Sequence, residues 1–215
     1  MRVYHDFEFL ENGETIESIS VGMMAEEGRE YYAVFAEIAD PATWHRIMRH
    51  EFLREQVVPH LPLRPVDHDA WRRRTGIAVL DGVSEELDVD HPDVKPRHRI
   101  RQEVEDFLLR PRDGDLSLWA WFGAYDHVAL AQLWGPMMKL PHGVPMRTGD
   151  LAQEADRLID LGAEWNRPRH TGRKHHALDD ARHDRDIHLS LMELEQRTYE
   201  RMIDARVRAA GASSS

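Results

Sequence analysis

Apolar positions along this chain first recur with a period of two and later with the spacing of a helix. Residues 2–10 are of β type, and within residues 15–24 Ile19, Val21 and Met23 alternate with Ser18, Ser20 and Gly22, so both segments read as strands. Asn12-Gly13 between them is a hairpin signal, because both residues tolerate positive φ. A second turn at Glu26-Glu27-Gly28-Arg29 leads into Tyr31-Tyr32-Ala33-Val34-Phe35 and completes a three-stranded antiparallel meander. Helical spacing governs residues 42–61, where Trp44, Ile47, Met48 and Phe52 form one stripe and Pro59 and Pro62 end it. Residues 64–95 mix Pro, Asp, Gly and charges, which predicts an irregular excursion with a short helix near Trp71.

Regularity returns over residues 98–110, where Ile100, Val104, Phe107 and Leu108 repeat at helical spacing. Residues 116–122 are short, apolar and aromatic, as suits a buried central strand. A helix over 126–133, a short strand over 144–148, a helix capped by Asp150 and running to Leu161, and a last helix over about 177–207 follow. The pattern predicts one α/β domain over residues 1–208, with an irregular insertion at about 64–97 and a disordered tail at 209–215. No internal repeat is visible.

Composition narrows the chemistry. The chain has no cysteine, which removes disulfides, thiolate metal sites and cysteine nucleophiles. No run of about 18 apolar residues occurs, so a soluble protein is expected, and the lack of cysteine allows a cytoplasmic one. A formal charge of −11 argues against a protein that coats nucleic acid, but not against an enzyme that gathers carboxylates around divalent cations.

Three strings carry candidate chemistry. Asp6 and Glu8 lie two apart on the first strand and so share a face, a costly arrangement that a hard divalent cation relieves, with a solvated edge face as the plain alternative. In Trp121-Phe122-Gly123-Ala124-Tyr125-Asp126-His127 a strand ends in a glycine turn and Asp126 opens a helix, where an N-cap role is the plain alternative. In His175-His176-Ala177-Leu178-Asp179-Asp180-Ala181 an imidazole precedes the last helix and Asp180 lies about a turn inside it, with complementing the helix dipole as the alternative. The doubled histidines do not suggest zinc, since no third and fourth ligand at suitable spacing appears.

In this order, Asp-x-Glu, a central Asp after a strand and His-x-x-x-x-Asp resemble the signature of the DEDDh 3′-5′ exonucleases of the RNase H-like superfamily, filled by Asp6, Glu8, Asp126, His175 and Asp180. The strings Asp6-Phe7-Glu8-Phe9, Gly28-Arg29-Glu30-Tyr31-Tyr32-Ala33-Val34 and Trp119 through Leu130 are similar to the polyadenylate-specific 3′-exoribonuclease AS group. Phe122 stands where other branches often carry Asn four residues before the central Asp. The resemblance implies an RNase H-like fold, with a mixed five-stranded sheet flanked by helices. It implies two Mg²⁺ ions, replaceable by Mn²⁺, held by Asp6, Glu8, Asp126 and Asp180, with His175 as general base. It further implies single-stranded, adenylate-rich RNA 3′ ends as substrate, AMP as product, and a homodimer.

Substrate contacts are expected from the basic loop before His175, through Arg169, Arg173 and Lys174, and from Phe9, whose ring would stack a base unless it belongs to the core. Two other readings stay open. His68-Asp69 and His183-Asp184 suggest an HD-type phosphohydrolase, although that fold is helical and lacks a meander. A non-catalytic RNA-binding relative is the other, although such a protein should have lost part of the carboxylate set.

Overall fold

Residues 1–76, 78–79, 82–110 and 114–212 are described by a computed structural model. Strands β1 (Arg2–Glu11), β2 (Ile16–Ala25) and β3 (Glu30–Phe35) form the expected antiparallel meander. Its turns place Gly13 and Gly28 at φ 85° and 97°, where a side chain is strained. Helix α1 (Pro41–Arg49) follows, then β4 (Leu63–Pro65), α2 (His68–Thr75), β5 (Glu85–Leu87), β6 (Val94–Lys95) and α3 (Arg97–Leu109). The second half contains β7 (Ser117–Ala120), α4 (Ala124–Ala131), β8 (Thr148–Asp150), α5 (Leu151–Asp160) and the long α6 (Ala177–Ala212).

The main sheet has the order β6-β3-β2-β1-β7-β8, with β1-β7, β7-β8 and β3-β6 parallel. It is a mixed α/β sheet of six strands rather than five, because β6, from inside the expected insertion, pairs with β3 at the edge. The insertion is more regular than its composition suggests. It holds α2, whose N-cap Asp67 accepts from the Asp69 and Ala70 amides, and a separate β4-β5 pair.

Several boundaries move, among them β7, which is shorter than the expected 116–122, and α4, which starts and ends two residues before the expected 126–133. The helix expected over 42–61 stops at Arg49, because His50 is extended, and a π-type turn (Leu53–Val57) and a 3₁₀ turn (Val58–His60) continue the segment. Trp44 and Ile47 of the stripe are buried, but Phe52 is diverted outward and is 46% exposed. The late strand lies at Thr148–Asp150 rather than 144–148, and Asp150 caps α5 as expected, accepting from the Ala152 and Gln153 amides. The last helix extends through Ala212, into the expected tail; residues 213–215 lie outside the described residues.

Both faces of β1 are covered. Val3, Phe7 and Leu10 join a large apolar cluster with Trp44, Ile47, Ile100, Leu108 and Leu130. On the other face Tyr4 packs with Met24 and Ala181 of α6, and α5 joins α6 through Leu151, Leu158, Ile187 and Leu191. Each large side chain buried this way contributes roughly 1.5–3 kcal/mol, so the strand carrying Asp6 and Glu8 is held rigidly from both sides.

Candidate active site

On β2 the apolar set faces the large core, while Ser18, Ser20 and Gly22 leave the other face low. Gly22, opposite Asp6 in the sheet, is where the start of α6 crosses: a Cβ there would lie 2.2 Å from the Ala177 carbonyl carbon and the Leu178 nitrogen. A glycine inside a strand thus permits a close backbone approach. The result is that the turn before α6, bearing His175, is set down beside Asp6 and Glu8. His175 itself is left-handed, at φ 63°, and its amide donates to Asp180 Oδ2 at 2.7 Å. That bond fixes the corner, and Asp180 is turned toward the sheet.

The third string arrives from the C-terminal end of β7. Asp126 does not cap α4; the N-cap is Gly123, with no side-chain hydrogen bond. Asp126 is instead buried, and its Oδ1 accepts the Phe7 amide of β1 at 2.8 Å. Asp6, Glu8, Asp126, His175 and Asp180 all line one cleft of ≈ 900 Å³. Within it Glu8, His175 and Asp180 each offer a ligand atom, all within 4.8 Å of one another, and His175 Nδ1 is 3.9 Å from Glu8 Oε1. Asp6 Oδ2 is buried with no hydrogen-bond partner.

Electrostatically the cleft is under strain. Burial, with Asp126, Glu8, Asp180 and Asp184 around it, pushes Asp6 well above the usual carboxylate range. Burial and then Asp180 and Asp126 do the same to Glu8, and burial raises Asp126 against the pull of the Phe7 amide. Asp180 is raised by burial but partly relieved by His170, whose Nε2 lies 2.7 Å from Asp180 Oδ1. His175 is lowered, chiefly by burial, and so is a neutral ring able to accept a proton at neutral pH. A bare set of hard carboxylate oxygens, one of them orphaned, fits a divalent cation.

One acidic group of this cleft escapes the motif. Asp184, one helical turn beyond Asp180, is 5% exposed, lines the cleft and accepts the Trp121 amide at 2.8 Å. Burial first, then the Trp121 bond acting against it and Asp126 and Asp180 reinforcing it, leaves its carboxyl raised to about 8. Its signal in the sequence is the four-residue step from Asp180, which places both on one helix face.

The expected substrate residues divide. Phe9 lines the cleft, its ring stacked on Tyr125 at 5.7 Å, and Arg169 and Lys174 line it too. Arg173 does not: its guanidinium is bonded to Asp179 Oδ2 at 2.8 Å and to His176 Nε2. Arg167, from the same loop, takes a place at the rim, and Phe52 sits edge-on to His175 at 4.8 Å. His176 is buried beneath, stacked on Tyr32 at 4.4 Å, outside the cleft. His68 and Asp69 lie on α2 and do not line the cleft, so with His183-Asp184 they form no shared HD-type centre.

No protein-family model matches the chain. It is similar to two curated proteins of Mycobacterium tuberculosis, from strains CDC 1551 / Oshkosh and ATCC 25618 / H37Rv, each named a 3′-5′ exoribonuclease. With each it is 42% identical over 156 residues, which is 71% of this chain and 73% of the relative. No helix among the described residues is long and apolar enough to cross a membrane.

Proposed function

Because the chain belongs to the family of these 3′-5′ exoribonucleases, we propose that its cleft removes nucleoside 5′-monophosphates one at a time from single-stranded RNA 3′ ends, preferring adenylate-rich ones. It is an enzyme of that family, and the finer assignment rests on its residues. The observation that carries the reading is the orphaned Asp6 Oδ2 in one cleft with Glu8, Asp126 and Asp180, a set that burial first and mutual repulsion next leave short of positive charge. With His175 beside it, the set follows the DEDDh order on a sheet compatible with an RNase H-like fold.

In this reading Asp6, Glu8, Asp126 and Asp180 hold divalent cations, Mg²⁺ or Mn²⁺. Such ions, when bound, screen the scissile phosphate and make water acidic enough to lose a proton near neutral pH. The chain does the rest. His175, neutral and half-exposed beside Glu8, takes the proton of the attacking water. His170 and the His175 amide hold one oxygen each of Asp180 and fix its plane. Arg169 and Lys174 meet backbone phosphates at the rim, and Phe9 with Tyr125 offers a stacked aromatic face to a base.

The test is a 3′-labelled oligoadenylate, beside oligocytidylate and DNA of equal length, with magnesium or with chelator. Label should leave first and as AMP, fastest from the oligoadenylate, and only with the ion. His175→Ala should lose about 10²–10⁴-fold in kcat while still binding magnesium by calorimetry, whereas Asp180→Asn should weaken magnesium binding itself. Internal cleavage, full activity in chelator, or loss of metal binding in His175→Ala would each overturn a stated part.

A further inference from the structure

The turn between β7 and α4 places an aromatic residue in left-handed backbone. Phe122 has φ 58° and is 66% exposed, and it lines the cleft. Left-handed backbone at a bulky residue is an outlier, and glycine is the residue that adopts it freely. Such strain persists only where the surroundings over-determine it, and it gathers at functional sites.

The surroundings here do over-determine it. On one side the Trp121 amide is pinned by Asp184 Oδ2 at 2.8 Å. The Trp121 ring is clamped between the Arg167 guanidinium, 3.8 Å from its centroid, and the Trp165 ring at 6.2 Å and 28°. On the other side the Phe122 carbonyl accepts the Ala124 amide at 2.8 Å. Gly123 has no room for a side chain, since a Cβ would meet the Ala120 Cβ and Thr148 Cγ2 at 2.9 Å. The chain must therefore turn at Phe122, and its ring is held out over the cleft against the edge of Trp121, 5.4 Å away at 60°.

We propose that Phe122 is a substrate-binding residue whose ring stacks on one unpaired base of the RNA strand, separately from the Phe9-Tyr125 pair. This rests on the exoribonuclease reading for the identity of the ligand. The ligand class follows from the place: an exposed planar ring at the rim of an acidic cleft, with Arg167 and Arg169 nearby for phosphates, is how single strands are held without base pairing. An ordinary apolar contact would need a covering neighbour, and Phe122 is left open. Trp121, Asp184 and Arg167 act through it as positioning residues.

The test is a cycle between the ring and the base. Binding of fluorescein-labelled oligoadenylates, each with one abasic nucleotide at a successive position from the 3′ end, is followed by anisotropy with calcium as the divalent cation. In the native protein one position should stand out, weakening Kd by about 5- to 150-fold, the range that one base-aromatic stack supplies. In Phe122→Gly, which relieves the backbone strain and should melt no lower than the native chain, the same abasic position should cost nothing further. Phe122→Leu should behave like Phe122→Gly, and Phe122→Trp should restore the effect; if Phe122→Gly failed to fold, Phe122→Leu carries the same cycle. With magnesium, both losses should fall on KM rather than kcat. Met138→Ala removes another exposed apolar side chain, 82% exposed and away from the cleft lining, and should change nothing. Equal abasic penalties in native and variant proteins at every position would overturn the proposal. A native protein that binds the oligonucleotides but never shortens them would overturn the exonuclease reading instead, with the cycle still read.

Discussion

Replacing Asp184 by Asn tests the claim that burial, with repulsion from Asp126 and Asp180 added, raises the Asp184 carboxyl. Asn keeps the oxygen that accepts the Trp121 amide and removes only the titrating group. The carboxyl is raised from 3.8 to about 8 in the folded protein, by burial before anything else and by Asp126 and Asp180 in addition. A raised folded value means stability that is complete at acid pH and is lost as pH climbs to that value. The window is therefore from about pH 4 to about pH 8. At 1.36 kcal/mol per unit the whole shift is worth about 6 kcal/mol, and the part between pH 5 and pH 8 about 4 kcal/mol, as an upper limit. In a chain of this size 1 kcal/mol moves Tm by about 2–4 °C, so the native protein in chelator should lose up to about 8–16 °C more than Asp184→Asn over that range. Thermal unfolding by circular dichroism from pH 5 to pH 9 in EDTA reads this directly. Parallel Tm curves for the two proteins would refute the raised Asp184 carboxyl.

Two other outcomes follow from the geometry of the α6 corner. Gly22→Ala places a Cβ 2.2 Å from backbone atoms of Ala177 and Leu178, so the start of α6 must shift; overpacking of about 1–3 kcal/mol and about a 10²-fold fall in kcat are expected, and a stable variant with native kcat would contradict the close approach. His176→Ala removes a buried ring stacked on Tyr32 and should cost about 1–3 kcal/mol of stability while keeping kcat within about tenfold, read by denaturant unfolding beside oligoadenylate turnover; a folded but inactive His176→Ala would reverse the roles given to the two histidines.

The carboxylates of the site were legible because strand and helix periodicity fix their direction without knowledge of the rest. Asp6 and Glu8 had to share a face, and the helix start after His175 had to carry Asp180. Asp126 was harder: a carboxylate opening a helix is usually a cap, and only the tertiary meeting of β1 with the β7-α4 turn turns it toward the Phe7 amide. Asp184 and Gly22 carry signals in the sequence, the helical step from Asp180 and a glycine inside a strand. Arg173 shows the opposite case. It sits in the loop that reaches the cleft, yet Asp179 lies 2.8 Å from its Nε, and local ion pairing overrides sequence position. Phe122 stood out in the sequence only as a replacement for the Asn of other branches, since its left-handed backbone angle is one that no pattern of polar and apolar residues encodes.

A chain of net charge −11 that acts on a polyanion has to change sign locally, and the arrangement of charges says where. Five carboxyls, those of Asp6, Glu8, Asp126, Asp180 and Asp184, face the cleft, while Arg167, Arg169 and Lys174 stand along its lining. Without cations the carboxyls outnumber the bases, and an incoming phosphate meets repulsion at short range where solvent screens it least. The raised carboxyl values are the protein's own partial answer, since a proton held by Asp184 or Glu8 removes charge that burial makes expensive. Protons cannot bind phosphate, however, and divalent ions can: under the proposed function, exchanging held protons for cations would turn the centre of the cleft positive while leaving the rim unchanged. On the proposed reading, the acidity of the site would make RNA binding conditional on metal, and the few basic residues would need only to align the strand once the centre had been neutralised.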